Sequence, residues 1–261
     1  MALTGEETLY NLALGYIGEY VVEEGATTAK QYVLCSRYYD QARDEVLVSH
    51  PWNEAIIRVV LAQDSDKPVF GYNLRYAIPT DCLRTLSVND ALGADISYNA
   101  QGIHKWEVAG EYILADGGAT PQTWATSTAY VDGEFVNNGT LTYEVLVSHT
   151  SDTVASDVTS GNLVSAGGDY KVVYVEYIKQ LTDTTKYSPK LMQAIAIKLA
   201  IKVITGLTND TKGKVDLINE FERLTMPKAR SVDAQQGTPR SIFSSEWVRS
   251  RQTSSGNWYV V

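Results

Sequence analysis

One short run limits what this chain can fold into more than any other feature. From Leu191 to Ile204 only Gln193, Lys198 and Lys202 interrupt an otherwise apolar series, and Ser188-Pro189 stands ahead of it. Serine is a good N-cap and proline suits the first helical position, so the run reads as a helix. A helix that is apolar around most of its circumference has to be covered on most sides. Either it is the central helix of a bundle, or a neighbouring subunit covers part of it. The next helix places Leu217, Ile218, Phe221 and Leu224 on one face, and Pro227 should kink or end it.

Two helices that could cover the run lie at the start of the chain. Thr4-Gly-Glu-Glu7 and Thr28-Ala-Lys-Gln31 both have the spacing of a capping box. The first opens a helix with Leu9, Leu12, Ala13, Tyr16 and Ile17 on one face, weakened and ended by Gly15 and Gly18. The second carries Cys35, Tyr38, Ala42 and Val46 on one stripe and should stop near His50, because Pro51 disfavours helical geometry before it.

Between residues 55 and 115 the period changes. Ile56 to Leu61 is rich in β-branched residues, and Lys105 to Leu114 reads as a hairpin turning at Ala109-Gly110. Tyr170 to Tyr177 alternates and is assigned to the same small sheet. Residues 116–169 hold seven acids and no Lys or Arg, with turn signals at Asp132-Gly133 and Asn137-Asn138-Gly139. A stretch of that length must carry its own structure, here an inserted all-β module.

Composition excludes several classes. With 44% hydrophobic residues the chain can bury a core, and a net charge of −9 does not suit a protein that coats DNA. Residues 1–24 hold five glutamates and no base, whereas residues 227–261 hold five basic residues against two acids. Ends of unlike sign suit stacking between unlike neighbours, or are simply solvated. Cys35 and Cys82 read as separate buried thiols. The N-terminus lacks the basic-then-apolar layout of a signal peptide, and Leu191–Leu207 is too short to cross a bilayer comfortably.

Catalytic patterns are missing. His50, His104 and His149 form no pair with helical metal-site spacing, and no Cys-x-x-Cys exists. Gly206 to Lys214 has the wrong spacing for a phosphate loop and follows a helix. Asp64-Ser-Asp66 reads as a polar turn, Asp132 and Glu134 flank a hairpin glycine, and the spacing shows no acids facing across a cleft. The expectation is a protein with no enzyme activity, cofactor or metal.

The order of these pieces carries a resemblance. Gly15-Tyr-Ile-Gly18, the Cys35–Val46 helix, Pro51-Trp52, Tyr76-x-Ile78-Pro79-x-Asp81-Cys82-Leu83-Arg84, and Lys186-Tyr-Ser-Pro189 with Ala194-x-x-x-x-Leu199-Ala200 occur in sequence. Together they resemble the head-to-tail adaptor of short-tailed phages, the tail tubular protein A family. The resemblance implies an α+β fold: a helical bundle built from N-terminal (1–54) and C-terminal (183–234) helix pairs, with a small antiparallel β-domain (55–115 and 170–182). The all-β module (116–169) and an extended tail (235–261) complete it. It further implies a twelve-copy ring that joins the portal protein to the tail nozzle, in the virion neck after assembly in the host cytoplasm. DNA would pass through the lumen without specific binding, and no membrane would be involved. Leu191, Ile195, Leu199 and Lys202 would then meet the adjacent subunit. Arg240, Ile242, Phe243, Trp247, Arg249, Arg251, Trp258 and Tyr259 would dock the tail on the portal, since aromatic and Arg residues are strong interface anchors.

The insertion has a likeness of its own. Trp124, Tyr130, Gly133-Glu134, Val136, Gly139 and Tyr143 are spaced as in small chitin-binding-type carbohydrate modules, without the second Trp expected near Leu163. That likeness implies sugar stacking on Trp124, Tyr130 and Tyr143, or contact with tail fibres; alternatively these rings are the module's own core. A tail-associated carbohydrate-binding protein or polysaccharide-degrading enzyme is the second functional expectation.

Overall fold

A computed structural model describes residues 5–23, 25–89, 105–166, 168 and 170–236. The first helix, α1 (Glu6–Ile17), starts after Gly5, which sits at φ +77 and contributes no side-chain cap; Thr4 lies outside the described residues. Gly18 ends it in the left-handed conformation, as glycine permits. Asn11 then bonds the backbone of Val22 in both directions (2.7 and 3.0 Å), which folds the following segment back and buries Val22.

Helix α2 (Lys30–Ser49) begins after Ala29, with no side-chain cap. The expected Thr28–Gln31 box does not form, because the helix starts one residue too late for that spacing and the Gln31 amide instead bonds Glu19 at 3.4 Å. Tyr39 rather than Tyr38 is the deepest ring of the stripe, beside Cys35, Ala42, Val46 and Leu47. The helix stops where Pro51 requires, with His50 extended at φ −152. Trp52 is fully buried behind it and donates from Nε1 to the Val46 carbonyl at 3.0 Å.

Next come β1 (Ile56–Ala62), β2 (Leu74–Ala77), β3 (Cys82–Asn89), β4 (Trp106–Ala109) and β5 (Tyr112–Ala115). The β4–β5 hairpin pairs Ala109 with Tyr112, so its two-residue turn is Gly110-Glu111, one place later than the sequence suggests. Gly110 supplies the positive φ, +62, that such a turn needs.

The insertion holds β6 (Gln122–Thr123), β7 (Ala129–Tyr130), β8 (Phe135–Asn137), β9 (Thr142–Val145), β10 (His149–Thr150), α3 (Val154–Thr159) and β11 (Leu163–Ser165). It is therefore not all-β. The Thr153 hydroxyl accepts from the Ser156 amide and starts a helix in a Ser/Thr/Asp-rich stretch of the module expected to be all-β. Gly133 and Gly139 turn the chain at φ +83 and +93, where the turn signals stood.

The chain then returns through β12 (Val172–Lys179) to α4 (Pro189–Thr208), α5 (Thr211–Glu220), a π-helical turn over Phe221–Thr225, and α6 (Met226–Ala234). Ser188 caps α4 through the Leu191 amide at 3.3 Å, and Asn209 ends it in the left-handed region. Pro227 does not end the path. The π turn ahead of it absorbs an extra residue, which shifts the buried face to Thr225, Met226 and Ala229 and turns Leu224 outward. Asp233 of α6 accepts from the Asn53 amide and side chain (3.2 and 3.0 Å) and lies 2.9 Å from His50 Nε2, tying α6 to the end of α2.

The architecture is mixed α and β with several small antiparallel sheets. The hairpin and the Tyr170–Tyr177 strand, expected in one sheet, occupy two. One sheet has the order β1-β12-β3 and the other β2-β5-β4. They stack over Tyr76, Ile113, Val173, Val175 and Tyr177. The reason is that β12 is covered on both faces: Val173 and Val175 meet the second sheet, while Ile178 enters the helical core with Trp52 and Leu191. Cys35 and Cys82 are free. Burial pushes the Cys35 thiol up to about 12 and raises Cys82 as well, but Cys82 is partly exposed and Cys35 is not. A thiol reagent at pH 8 should therefore label Cys82 at least tenfold faster, as read by mass spectrometry.

Candidate functional site

The residues singled out in the sequence fall into four places. Leu191, Ile195 and Leu199 are fully buried by the chain itself, because α4 packs on α1 and α2. Lys202 bonds Glu45 at 2.7 Å, and Lys198 approaches the same carboxylate at 3.1 Å. Burial would raise the Glu45 carboxyl, but hydrogen bonds from both lysines outweigh it and hold it below the usual carboxylate range. Leu191, Ile195 and Leu199 therefore face the chain's own core, not the adjacent subunit expected for them, and Lys202 is engaged by Glu45 of the same chain. Although α4 is long and apolar enough to cross a bilayer, its apolar sides are those of a core helix.

Tyr130 and Tyr143 form the insertion's core with Val136, Val145 and Leu163, and Trp124 packs against it half-buried. The Tyr130 hydroxyl accepts from the Ala125 amide at 2.7 Å. Neither tyrosine offers a face on which a sugar could stack. The tail residues Arg240, Ile242, Phe243, Trp247, Arg249, Arg251, Trp258 and Tyr259 lie outside the described residues, as does His104.

What the sequence did not reveal is a cleft of about 920 Å³ between the β1-β12-β3 sheet and the insertion. Glu176 lies on its floor, 3% exposed, because it points from the central strand toward the face opposite the Val173–Val175 row. Arg58 Nη2 lies 3.4 Å from one of its carboxylate oxygens, and the Ser87 hydroxyl donates to the other at 3.4 Å. Asp81 closes one side, accepting from the Tyr177 hydroxyl at 2.9 Å and facing Lys179 at 3.1 Å. Burial acts to raise the Asp81 carboxyl, but these two partners hold it below its usual range. Asp132, Glu134 and Glu144 of the insertion line the opposite wall. Glu134 braces its own turn through the Val131 amide at 3.0 Å. Burial first, and then the Glu134 charge, raise the Tyr174 hydroxyl between them.

Carboxylates that the sequence left scattered thus surround one opening. Such a lining attracts cationic groups and offers acceptors to a polyhydroxylated ligand. Among the described residues, no group of three or more His, Cys, Asp or Glu side chains is placed to hold a metal ion. Asp81, Asp132 and Glu134 stood out in the sequence only as turn or packing residues, and the alternation of the Tyr170–Tyr177 strand does not say which strand is central.

Exposed apolar groups form a second class of feature. Tyr20, Val21, Val69 and Phe70 stand on the surface as large uncovered side chains. No protein-family model matches the chain, and no curated protein matches it.

Proposed function

We propose that this chain is a structural head-to-tail adaptor of a tailed phage, forming a ring that joins the portal to the tail nozzle and lets DNA pass. The observation that carries the proposal is how the resemblance residues are used. Trp52 fills the joint between helices and sheet, Asp81 holds Tyr177, Ser188 caps α4, and Ala194, Leu199 and Ala200 are core. These positions serve packing, which is what a protein acting through its surfaces requires. The α1–α4 and α2–α4 contacts support the finer description, a bundle built from the N-terminal and C-terminal helix pairs. On this proposal the ring has twelve copies and no catalytic role, and it resides in the virion neck. Residues 237–261 dock on the portal through Trp247, Trp258 and the arginines.

Docking is tested by co-sedimentation with the portal of the same virion. The full chain should co-sediment, and a chain ending at Gln236 should lose at least tenfold in affinity; equal binding would remove the tail from the interface. Excising the insertion should leave assembly intact. The excision should start after Ala119, which exchanges backbone hydrogen bonds with Val172 at 2.7 and 2.9 Å.

The acidic cleft favours a second reading, a tail-associated protein that binds or cleaves polysaccharide. Glycoside cleavage needs two carboxyl groups flanking the bond. Release of reducing ends from capsule or peptidoglycan, abolished by Glu176→Gln, would support that reading; no release supports the adaptor.

A further inference from the structure

Val69 and Phe70 are 98% and 86% exposed, at the tip of the loop between β1 and β2. Such a pair in a loose loop would be a solubility defect, but this loop is braced. The Asp66 amide donates to Asp64 Oδ1 at 2.9 Å, and Arg75 reaches both carboxylates, at 3.2 and 2.8 Å, while lying over the Tyr112 ring. On the far side Lys105 donates to the Gly71 carbonyl at 2.9 Å, and the Tyr72 hydroxyl to Glu107 at 3.0 Å. A pre-ordered apolar knob loses little entropy when it is covered.

The same sheet carries a socket. A cavity of about 550 Å³ is bounded by Ile78, Pro79, Cys82, Leu83, Val108 and Tyr112. Strand register puts knob and socket at opposite ends: Leu74, next to the knob, pairs with Ala115, whereas Ala77, at the socket, pairs with Tyr112. Four strand residues separate them, roughly 13 Å at about 3.3 Å each, so Phe70 cannot fill its own socket. The rims are charged in a complementary way. Exposed Lys67 precedes the knob and exposed Glu111 borders the socket, which allows Lys67 to meet Glu111, while Asp66 and Arg84 are held within the chain by Arg75 and the Val48 carbonyl.

We propose that the Val69–Phe70 knob of one copy seats in the Ile78–Leu83–Tyr112 socket of the next. The two surfaces differ, so the contact is heterologous and propagates head to tail, closing into a ring or running on as a filament. The contact stands on the geometry of this sheet; only its closure into a ring rests on the adaptor proposal.

The chain provides its own test through Cys82, half-buried in the socket. The full-length Phe70→Cys variant, oxidised at high protein concentration, should form disulfide-linked multimers extending beyond dimers. The ladder should vanish in Phe70→Cys/Cys82→Ser. Separately, Phe70→Asp should weaken self-association at least tenfold in sedimentation, with an unchanged circular dichroism spectrum. Folded Phe70→Cys protein that gives no Cys82-dependent ladder would overturn the contact, and so would a product that stops at the dimer, because a reciprocal pair is not head to tail. A ring on the portal without a ladder would discard this contact and keep the adaptor. A ladder without a portal ring would do the reverse.

Discussion

Trp52→Ala should lower the unfolding free energy by about 3–5 kcal/mol in chemical denaturation, the largest effect expected of any single substitution outside α4. The indole is fully buried, stands edge-on to His50 at 5.0 Å, and gives its only N–H to the Val46 carbonyl at the end of α2. Truncation therefore opens a cavity and removes one of the two donors to the Val46 carbonyl, leaving the Ser49 hydroxyl at 2.7 Å. Trp52→Phe separates the two effects, since most of the volume remains and only the hydrogen bond, worth about 1 kcal/mol, is lost. Domains of this kind hold about 5–15 kcal/mol in total, so the loss is a large share of the stability. If both substitutions cost under about 1 kcal/mol, Trp52 would not lock the helices to the sheet.

Leu199→Ala should cost about 2–5 kcal/mol, and the loss should be the same at any protein concentration. Leu199 lies in the core with Leu191 and Ile195, covered by the chain's own helices. Had the apolar face of α4 been shared between subunits, its truncation would weaken association and spare the dilute monomer. Denaturation curves at two concentrations a hundredfold apart tell these cases apart. Coincident, left-shifted curves are expected; a loss seen only at high concentration would return α4 to the interface.

Acid should also weaken the fold in a defined direction. Glu45, Asp64 and Asp81 all have carboxyls held below their ordinary values. A group whose folded value is depressed contributes stability above its unfolded value and loses it as pH falls through the folded one. Stability should thus be level above about pH 5 and fall below about pH 4, with a shallower slope in Glu45→Gln.

Sequence patterns were most legible where one residue type has one local consequence. Pro51 ended α2, Ser188-Pro189 opened α4, and Gly133 and Gly139 turned the insertion. They failed where tertiary partners decide. An apolar helix has the same sequence whether its own chain or a neighbour covers it, so α4 could not be assigned before the helices were placed. The Thr28 box lost to a later helix start, and Thr153 began a helix in a module expected to be all-β. The cleft was invisible for a related reason. Its acids come from positions 81, 132–144 and 176, far apart in the chain, and only the return of β12 beneath the insertion brings them together.

On the function proposed above, this molecule works as one member of a ring seated on a portal. Electron microscopy of the purified chain mixed with its portal tests it most directly. A closed ring of twelve densities on the portal axis is expected, with neighbours touching near Phe70 and the insertion projecting outward. Bare portals beside folded, unassociated chains would contradict it.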